Sequence, residues 1–298
     1  MNHMESFLAR LGDDRVIQGP MAGYSDRAFR HIMIEHGCRV TTTEMVSVEG
    51  MVRNGEKTLE LLRLADNETS DGVVVQFFGA DPHSYSKAVE MLLKSYRPLC
   101  IDINAGCSVR KVVKTGSGVA LMSDPKKAGD IIKAVKSVDG TLCVSIKFRL
   151  GLTFDSINYI DFAHVAVDSG ADILTLHPRT ASQGFSGVAD HSRTAALKKK
   201  IPESIVVASG DVMTVSDIAH IRCLSDCDCV MVARGAIGNP FIFEQKDKLA
   251  VHSEERVSAL YRHYALLKHY EGERRAECLV RKFVKGYSSG IRGFSFCP

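Results

Sequence analysis

The sequence predicts a (β/α)8 TIM barrel followed by a small C-terminal helical domain. Three observations point there. Eight short apolar β-type runs recur along the first 240 residues, segments of helical length and amphipathic spacing separate them, and beyond Asn239-Pro240 the strands stop while helical periodicity continues. Alternating strand and helix implies a parallel sheet, and eight such units in about 240 residues match a closed barrel. The rival is a doubly wound open sheet. Its G-x-G-x-x-G fingerprint is absent after the first strand, which ends in Gly19-Pro-Met-Ala-Gly23.

Taken in order, strands are expected near Val16–Gly19, Val40–Thr43, Val73–Phe78, Leu99–Ile103, Leu142–Lys147, Ile173–Leu176, Ile205–Ala208 and Cys229–Val232. Each is short, apolar and rich in β-branched residues. Helical spacing marks His83–Tyr96, Pro125–Ser137, Ile157–Ser169, Asp190–Lys200 and Val215–Leu224 between them. After the Asn239-Pro240 break, Ser253–Tyr270 and Arg274–Tyr287 follow as helices, and Ser288 to Pro298 is expected to be irregular. This gives a barrel over residues 1–240 and a helical domain over residues 241–298.

Composition narrows the class. The chain has 298 residues, 45% hydrophobic and 24% charged, ordinary values for a globular protein. No apolar run approaches the ~18 residues of a membrane span, and the start lacks a secretory pattern, so a cytoplasmic protein without membrane attachment is expected. Nine cysteines in mostly strand-like or helical contexts fit a reducing compartment. Cys223, Cys227 and Cys229 have spacing C-x3-C-x-C, not a usual zinc pattern, so packing is expected there and no metal. Residues 241–298 hold 11 Lys+Arg and 7 Asp+Glu, a net of +4, against −1 for the remainder. A basic tail on a near-neutral body suits a polyanion such as RNA, or is simply a solvated helix face. Nothing demands more than a monomer.

Function is argued from position. Barrel active sites gather at the carboxyl ends of strands. Here strand one ends in Pro20-Met-Ala-Gly-Tyr-Ser-Asp26, strand two in Thr43-Glu44, and strand three carries Gln76. Strand four ends in Asn104 and Cys107, strand five in Lys147-Phe-Arg149, and strand six in His177-Pro-Arg-Thr180. Strand seven ends in Ser209-Gly-Asp211 and strand eight in Ala233-Arg-Gly235. Each has a bland alternative: Gln76 as a bonded wall residue, His177 as a satisfied core histidine, Lys147 and Arg149 as rim charges. Eight coincidences at one face favour an active site. Glycines after the last two strands let backbone N–H groups approach a phosphate, and Arg234 adds a charged donor. Asn104, Gln76 and Lys147 can donate to an oxygen-rich ring across the mouth, and a lysine there stabilises a reduced, anionic ring. This combination describes an FMN site. Cys107, on a loop beside Arg110, Lys111 and Lys114, is a poor packing residue and a candidate proton donor or nucleophile.

These residues resemble the tRNA-dihydrouridine synthases over residues 15–287. The likeness runs through Gln18-Gly-Pro-Met-Ala-Gly-Tyr-Ser-Asp26, Thr43-Glu-Met45, Val75-Gln-Phe-Phe-Gly79 and Asp102-Ile-Asn-Ala-Gly-Cys107. It continues in Lys111-Val-Val-Lys-Thr-Gly-Ser-Gly118, Ile146-Lys-Phe-Arg149, His177-Pro-Arg-Thr180, Ser209-Gly-Asp211 and Ala233-Arg-Gly-Ala-Ile-Gly-Asn-Pro240. The resemblance implies an FMN enzyme, reduced by NADPH, that reduces the C5=C6 bond of particular tRNA uridines. Hydride would pass from the flavin to C6 and a proton from Cys107 to C5. A free thiol is mostly protonated at neutral pH, which suits an acid. By the same resemblance Pro20, Met21, Gln76, Lys147 and His177 contact the flavin, and Ser209, Gly210, Asp211, Ala233, Arg234 and Gly235 surround its phosphate end. Asn104, Arg149 and Arg179 lie near the uracil, and Arg281 and Lys282 contact RNA. Three positions depart from the family pattern: Ser108 where proline is usual, Ser209 where Asn is common, and Ala233 where Gly is common.

Overall fold

A computed structural model describes residues 3–294. Its core is a parallel sheet of β1 (Val16–Gln18), β2 (Thr41–Thr42), β3 (Val46–Ser47), β4 (Val73–Phe78), β5 (Cys100–Ala105), β6 (Val144–Phe148), β7 (Ile173–Leu176), β8 (Ile205–Ser209) and β9 (Cys229–Val232). The order is β1-β9-β8-β7-β6-β5-β4-β2, with β3 also on β4 and every pairing parallel. The remaining seam, β1 to β2, is closed by Gln18. Its backbone N–H donates to Val40 O at 3.1 Å, its Oε1 accepts Thr42 N–H at 3.0 Å, and its carbonyl accepts Thr42 Oγ1 at 2.7 Å. The result is the expected (β/α)8 barrel.

The second stave differs from the expectation of one strand over Val40–Thr43. It is broken into β2 and β3 by Thr43-Glu44-Met45, with both pieces bonded to β4. The break turns Met45 toward the barrel mouth. Among the helices that carried no prediction, two are long. His3–Leu11 closes the amino-terminal end, where Phe7 and Leu11 pack with Ile17, Val74, Cys100, Cys143 and Met231. Arg27–Glu35 is capped by Asp26, whose carboxylate accepts Phe29 N–H at 2.9 Å, and buries Ala28, Phe29, Ile32 and Met33 on one face.

The expected C-terminal helices are Ser253–Glu271 and Glu273–Ser288. They share a core with the barrel: Phe283 stacks on Phe29 at 5.8 Å, and Leu260, Leu267, Val280 and Tyr287 join Val230, Val232 and Phe241 in one buried cluster. Beneath it a buried Arg30–Glu68 pair, 2.9 Å apart, ties the second helix to the loop before β4. The eight cysteines described are free, and no three His, Cys, Asp or Glu are grouped as metal ligands among the described residues. Cys297 and the last residues of the expected irregular tail lie outside the described residues. No described helix is long and apolar enough to cross a membrane.

Candidate active site

The carboxyl ends of the strands surround one cavity of about 470 Å³. Strand length positions its lining. Side chains of a strand alternate, so Gln76 on β4 and Asn104 on β5 face the barrel interior near its mouth, and Lys147 is the register partner of Asn104 on β6. Pro20 and Met21 line one wall from the loop after β1, which is held as a turn by Ser25: Met21 N–H donates to Ser25 Oγ at 2.9 Å, and Ser25 Oγ–H donates to Met21 O at 3.0 Å. Cys107, His177, Ser209, Gly210, Asp211, Ala233 and Arg234 complete most of the predicted set.

Cys107 is seated by its backbone. Its N–H donates to Asn104 Oδ1 at 2.9 Å and its carbonyl accepts Val119 N–H at 2.9 Å. Behind it Gly118 has φ +62°, and a Cβ there would lie 2.6 Å from the Cys107 carbonyl oxygen. The glycine in the Lys114–Gly118 run is therefore a steric requirement of the cysteine loop. The cations adjacent in sequence do not face the cavity: Arg110, Lys111 and Lys114 are exposed and none lines it. The cation interacting with the thiol is Arg149.

The cavity is strongly cationic. The Lys147 ammonium makes no hydrogen bond among the described residues, and burial, with Arg149 nearby, pulls it down to about 8. Burial and then the charges of Lys147, Arg149, Arg179 and Arg234 push the His177 imidazole far below its ordinary value, so it is neutral. Its Nε2 lies 3.2 Å from Arg179 Nη1. A guanidinium only donates, so Nε2 accepts and Nδ1 carries the proton. Gly210 has φ +119°, and a Cβ there would lie 2.8 Å from the His177 ring. Several cations with one neutral imidazole and an unpartnered ammonium form a receptor for an anionic group and for ring oxygens. The donor set therefore fits a flavin phosphate and pyrimidine-type carbonyls.

Four predicted residues stand elsewhere. Arg179 is buried behind the wall and does not line the cavity; its guanidinium is held by Asp211 at 2.5 Å, Ser186 O at 3.1 Å and Gly187 O at 2.6 Å, so it braces the loop after β7. Gly235 does not line the cavity; a Cβ there would meet Val212 O at 2.2 Å. Arg281 is exposed on the last helix. Lys282 turns back onto the barrel: its ammonium donates to Gly23 O, lies 3.4 Å from Asp26 Oδ2 and sits 5.2 Å from the Tyr24 ring. Gly23 N–H is held from the other side by Glu44, whose carboxyl is raised by burial. Arg149 reaches the cavity, yet most of its fork is spent on backbone: Gly106 O at 2.9 Å, Thr180 O at 3.0 Å and Gly184 O at 2.9 Å.

Sequence reasoning missed Phe185. It is 62% exposed at the mouth, with the Arg234 guanidinium 4.4 Å and the Arg149 guanidinium 5.8 Å from its ring centroid. An aromatic flanked by Gly184 and Gly187, just beyond His177–Thr180, was the available signal. Met45, Tyr24 and Met213 also line the cavity.

The family described as Dihydrouridine synthase (Dus) matches residues 17–296. A probable tRNA-dihydrouridine synthase of Treponema pallidum (strain Nichols) is 38% identical over 292 residues, covering 93% of this chain and 85% of that protein. tRNA-dihydrouridine synthase B of Pasteurella multocida (strain Pm70) is 32% identical, covering 94% and 85%. Among solved structures, an amine oxidase acting on 6-hydroxypseudooxynicotine from Pseudomonas geniculata N1 superposes with TM-score 0.59 at 13% identity, over 90% of this chain and 56% of that one. Histamine dehydrogenase from Rhizobium sp. 4-9 gives 0.53 at 16%, over 89% and 51%. The chain spans about half the length of these two structures, which share its fold.

Proposed function

The chain belongs to the dihydrouridine synthase family, and from that premise we propose that the cavity binds FMN and one flipped-out uridine of a tRNA, with NADPH as reductant. The protein is a tRNA-dihydrouridine synthase, a flavin-dependent oxidoreductase. The observation that carries the assignment of roles is the seat of Cys107: a thiol on the rim of a cationic cavity that Lys147 of the adjacent strand also lines, held by Asn104.

The flavin these residues would hold would supply a hydride to uracil C6. The chain's own residues do the rest. Arg234, Ser209 and the glycine loop at Gly210 hold the phosphate, and Asp211, bonded to Arg179 and Arg234, fixes the arginine that does so. Lys147 supplies a positive charge beside ring oxygens, and His177, neutral with its Nδ1 protonated, adds a donor. Met21 and Pro20 pack against the ring. Asn104, whose Nδ2 donates to Gln76 Oε1 and only weakly to Met45 Sδ at 3.8 Å, can turn that second N–H to a uracil carbonyl while its Oδ1 holds the cysteine loop. Cys107 Sγ–H donates its proton to C5, and Arg149 stabilises the thiolate left behind. Ser108 leaves the chain after the cysteine less constrained than proline would. A base inside a folded tRNA reaches this mouth only by leaving its stack. Residues 1–240 are the flavin barrel, and residues 241–298, with Arg281 outward, the RNA-contacting part, through phosphate contacts.

The test is to purify the protein, identify the released flavin by mass spectrometry and assay dihydrouridine formation in unmodified tRNA with NADPH. Cys107→Ala is expected to keep flavin and its reduction by NADPH and to lose most tRNA reduction. Unchanged turnover on tRNA would remove the proton donor.

A further inference from the structure

A line of buried side-chain hydrogen bonds runs beneath the cavity to Cys107. Asp102 lies on β5 two residues before Asn104, so both point to the same side of the strand. Its carboxylate is 2% exposed and accepts Ser145 Oγ–H and, at 2.6 Å, Gln76 Nε2–H. Gln76 Oε1 accepts Asn104 Nδ2–H at 2.9 Å. Asn104 Oδ1 in turn accepts the backbone N–H groups of Gly106 at 3.2 Å and Cys107 at 2.9 Å.

The chemistry of the two ends gives this line one polarity. Burial raises the Asp102 carboxyl, and the Gln76 and Ser145 donors and the Lys147 charge oppose that shift; as a carboxylate it only accepts, and a backbone N–H only donates. Two primary amides stand between them, and each can be turned end for end. Only one orientation of each satisfies every contact. If Gln76 turned over, its carbonyl would face the carboxylate and its NH2 would face the Asn104 NH2. If Asn104 turned over, its NH2 would face two N–H groups. In a buried setting each such mismatch leaves polar groups unpaired. Ser145 rotates its hydroxyl to suit, so it imposes no direction.

We propose that Asp102 is a positioning residue: its buried carboxylate sets the orientation of Gln76 and Asn104 and thereby seats Cys107. The proposal rests on the reading of Cys107 as the proton donor. It adds that this donor is held in place by a charge reached through two amides. The Asp102 carboxylate also faces Lys147, so it balances part of the charge of that ammonium.

The polarity makes a reversal experiment possible, read on the flavin-loaded protein by thermal and denaturant unfolding and by the alkylation rate of the Cys107 peptide in mass spectrometry. Asn104→Asp puts a carboxylate against Gln76 Oε1 while Asp102 still faces Gln76 Nε2. Gln76 then fails at one end whichever way it lies. The unfolding constant is expected to rise roughly tenfold or more, and Cys107 alkylation to depart from wild type. Asp102→Asn alone is expected to be mild, because its NH2 can face Ser145. In Asp102→Asn/Asn104→Asp the line reverses: Asn at 102 donates to Gln76 Oε1, and Gln76 Nε2 donates to Asp at 104. Most of the tenfold loss is expected to return, together with the wild-type alkylation rate. Asp102→Leu/Asn104→Asp restores the charge count but offers Gln76 no donor, and is expected to recover less. Additive losses in the Asn/Asp pair would overturn the proposal. So would equal rescue by Leu, which would leave charge balance as the whole effect. These outcomes do not depend on turnover, so they stand apart from the Cys107→Ala test.

Discussion

Arg149 Nε lies 2.9 Å from the Gly106 carbonyl oxygen, one residue before Cys107. The same guanidinium holds Thr180 O and Gly184 O, so one side chain joins the loop after β5 to the loop after β7, past the intervening β6. A lysine keeps the charge but has a point donor in place of a fork. Arg149→Lys is therefore expected to retain flavin and its reduction by NADPH while slowing tRNA reduction about tenfold, a loss of about 1.4 kcal/mol of transition-state stabilisation. Stopped-flow measurement of the two half-reactions checks this; equal slowing of both would show the bridge to be general scaffolding.

Arg281 and Lys282 are adjacent in sequence and separate in space. Arg281→Ala is expected to weaken tRNA binding and reduce the slope of log K against log salt by about one, leaving flavin retention unchanged. Lys282→Met releases Gly23 O and the charge over Tyr24, both on the loop that lines the cavity. Its expected signature is faster flavin dissociation, seen as recovery of free-flavin fluorescence. If Lys282→Met changed only the salt slope, the lysine would be a plain RNA contact.

The Arg30–Glu68 pair is almost wholly buried, and Glu68 also accepts Thr41 Oγ1–H and Ala65 N–H. Burial raises the Glu68 carboxyl, but the Arg30 charge and these donors outweigh it and hold it below its ordinary value. Removing one partner strands the other: Arg30→Met is expected to cost about 3–5 kcal/mol, and Arg30→Met/Glu68→Leu considerably less. Urea unfolding of the three proteins measures this directly, and a double variant weaker than Arg30→Met would contradict it.

His263 is buried against Phe283 and Tyr287, and burial followed by the Lys282 charge pulls it down to about 3. His177 is displaced in the same direction. Below the ordinary imidazole value of about 6.5 the unfolded chain takes up protons that the folded chain refuses, so stability falls as pH drops from there toward 3. Each such histidine contributes a slope of about 1.4 kcal/mol per pH unit. His263→Phe is expected to flatten the decline by one proton. An unchanged slope between pH 6 and 4 would mean that His263 is protonated in the folded protein.

The barrel was legible because its signals are local. Strand β4 spans Val73–Phe78 as expected, and β7 and β9 likewise keep their expected limits, since short runs of Val, Ile and Leu between polar turns declare themselves. The broken second stave was not legible: whether Val40–Met45 runs on or divides depends on how β4 bonds to both pieces. The helix His3–Leu11 was missed because its buried face, Phe7 and Leu11, has meaning only against the open end of a barrel.

By itself the sequence determined which chemical groups stand at the strand ends, because strand direction and alternation put them there whatever the packing. It thereby named the thiol, the ammonium, the imidazole and the arginine of the cavity. Only the tertiary structure decided what each cation serves. Arg110, Lys111 and Lys114 neighbour Cys107 along the chain but point to solvent, and Arg149, far from it in sequence, interacts with it at the cavity. Arg179 and Lys282 spend their charge on carbonyls and carboxylates of the protein itself. A charged group is committed by what lies within a few ångströms, and contacts between residues far apart in sequence exist only once the barrel has closed.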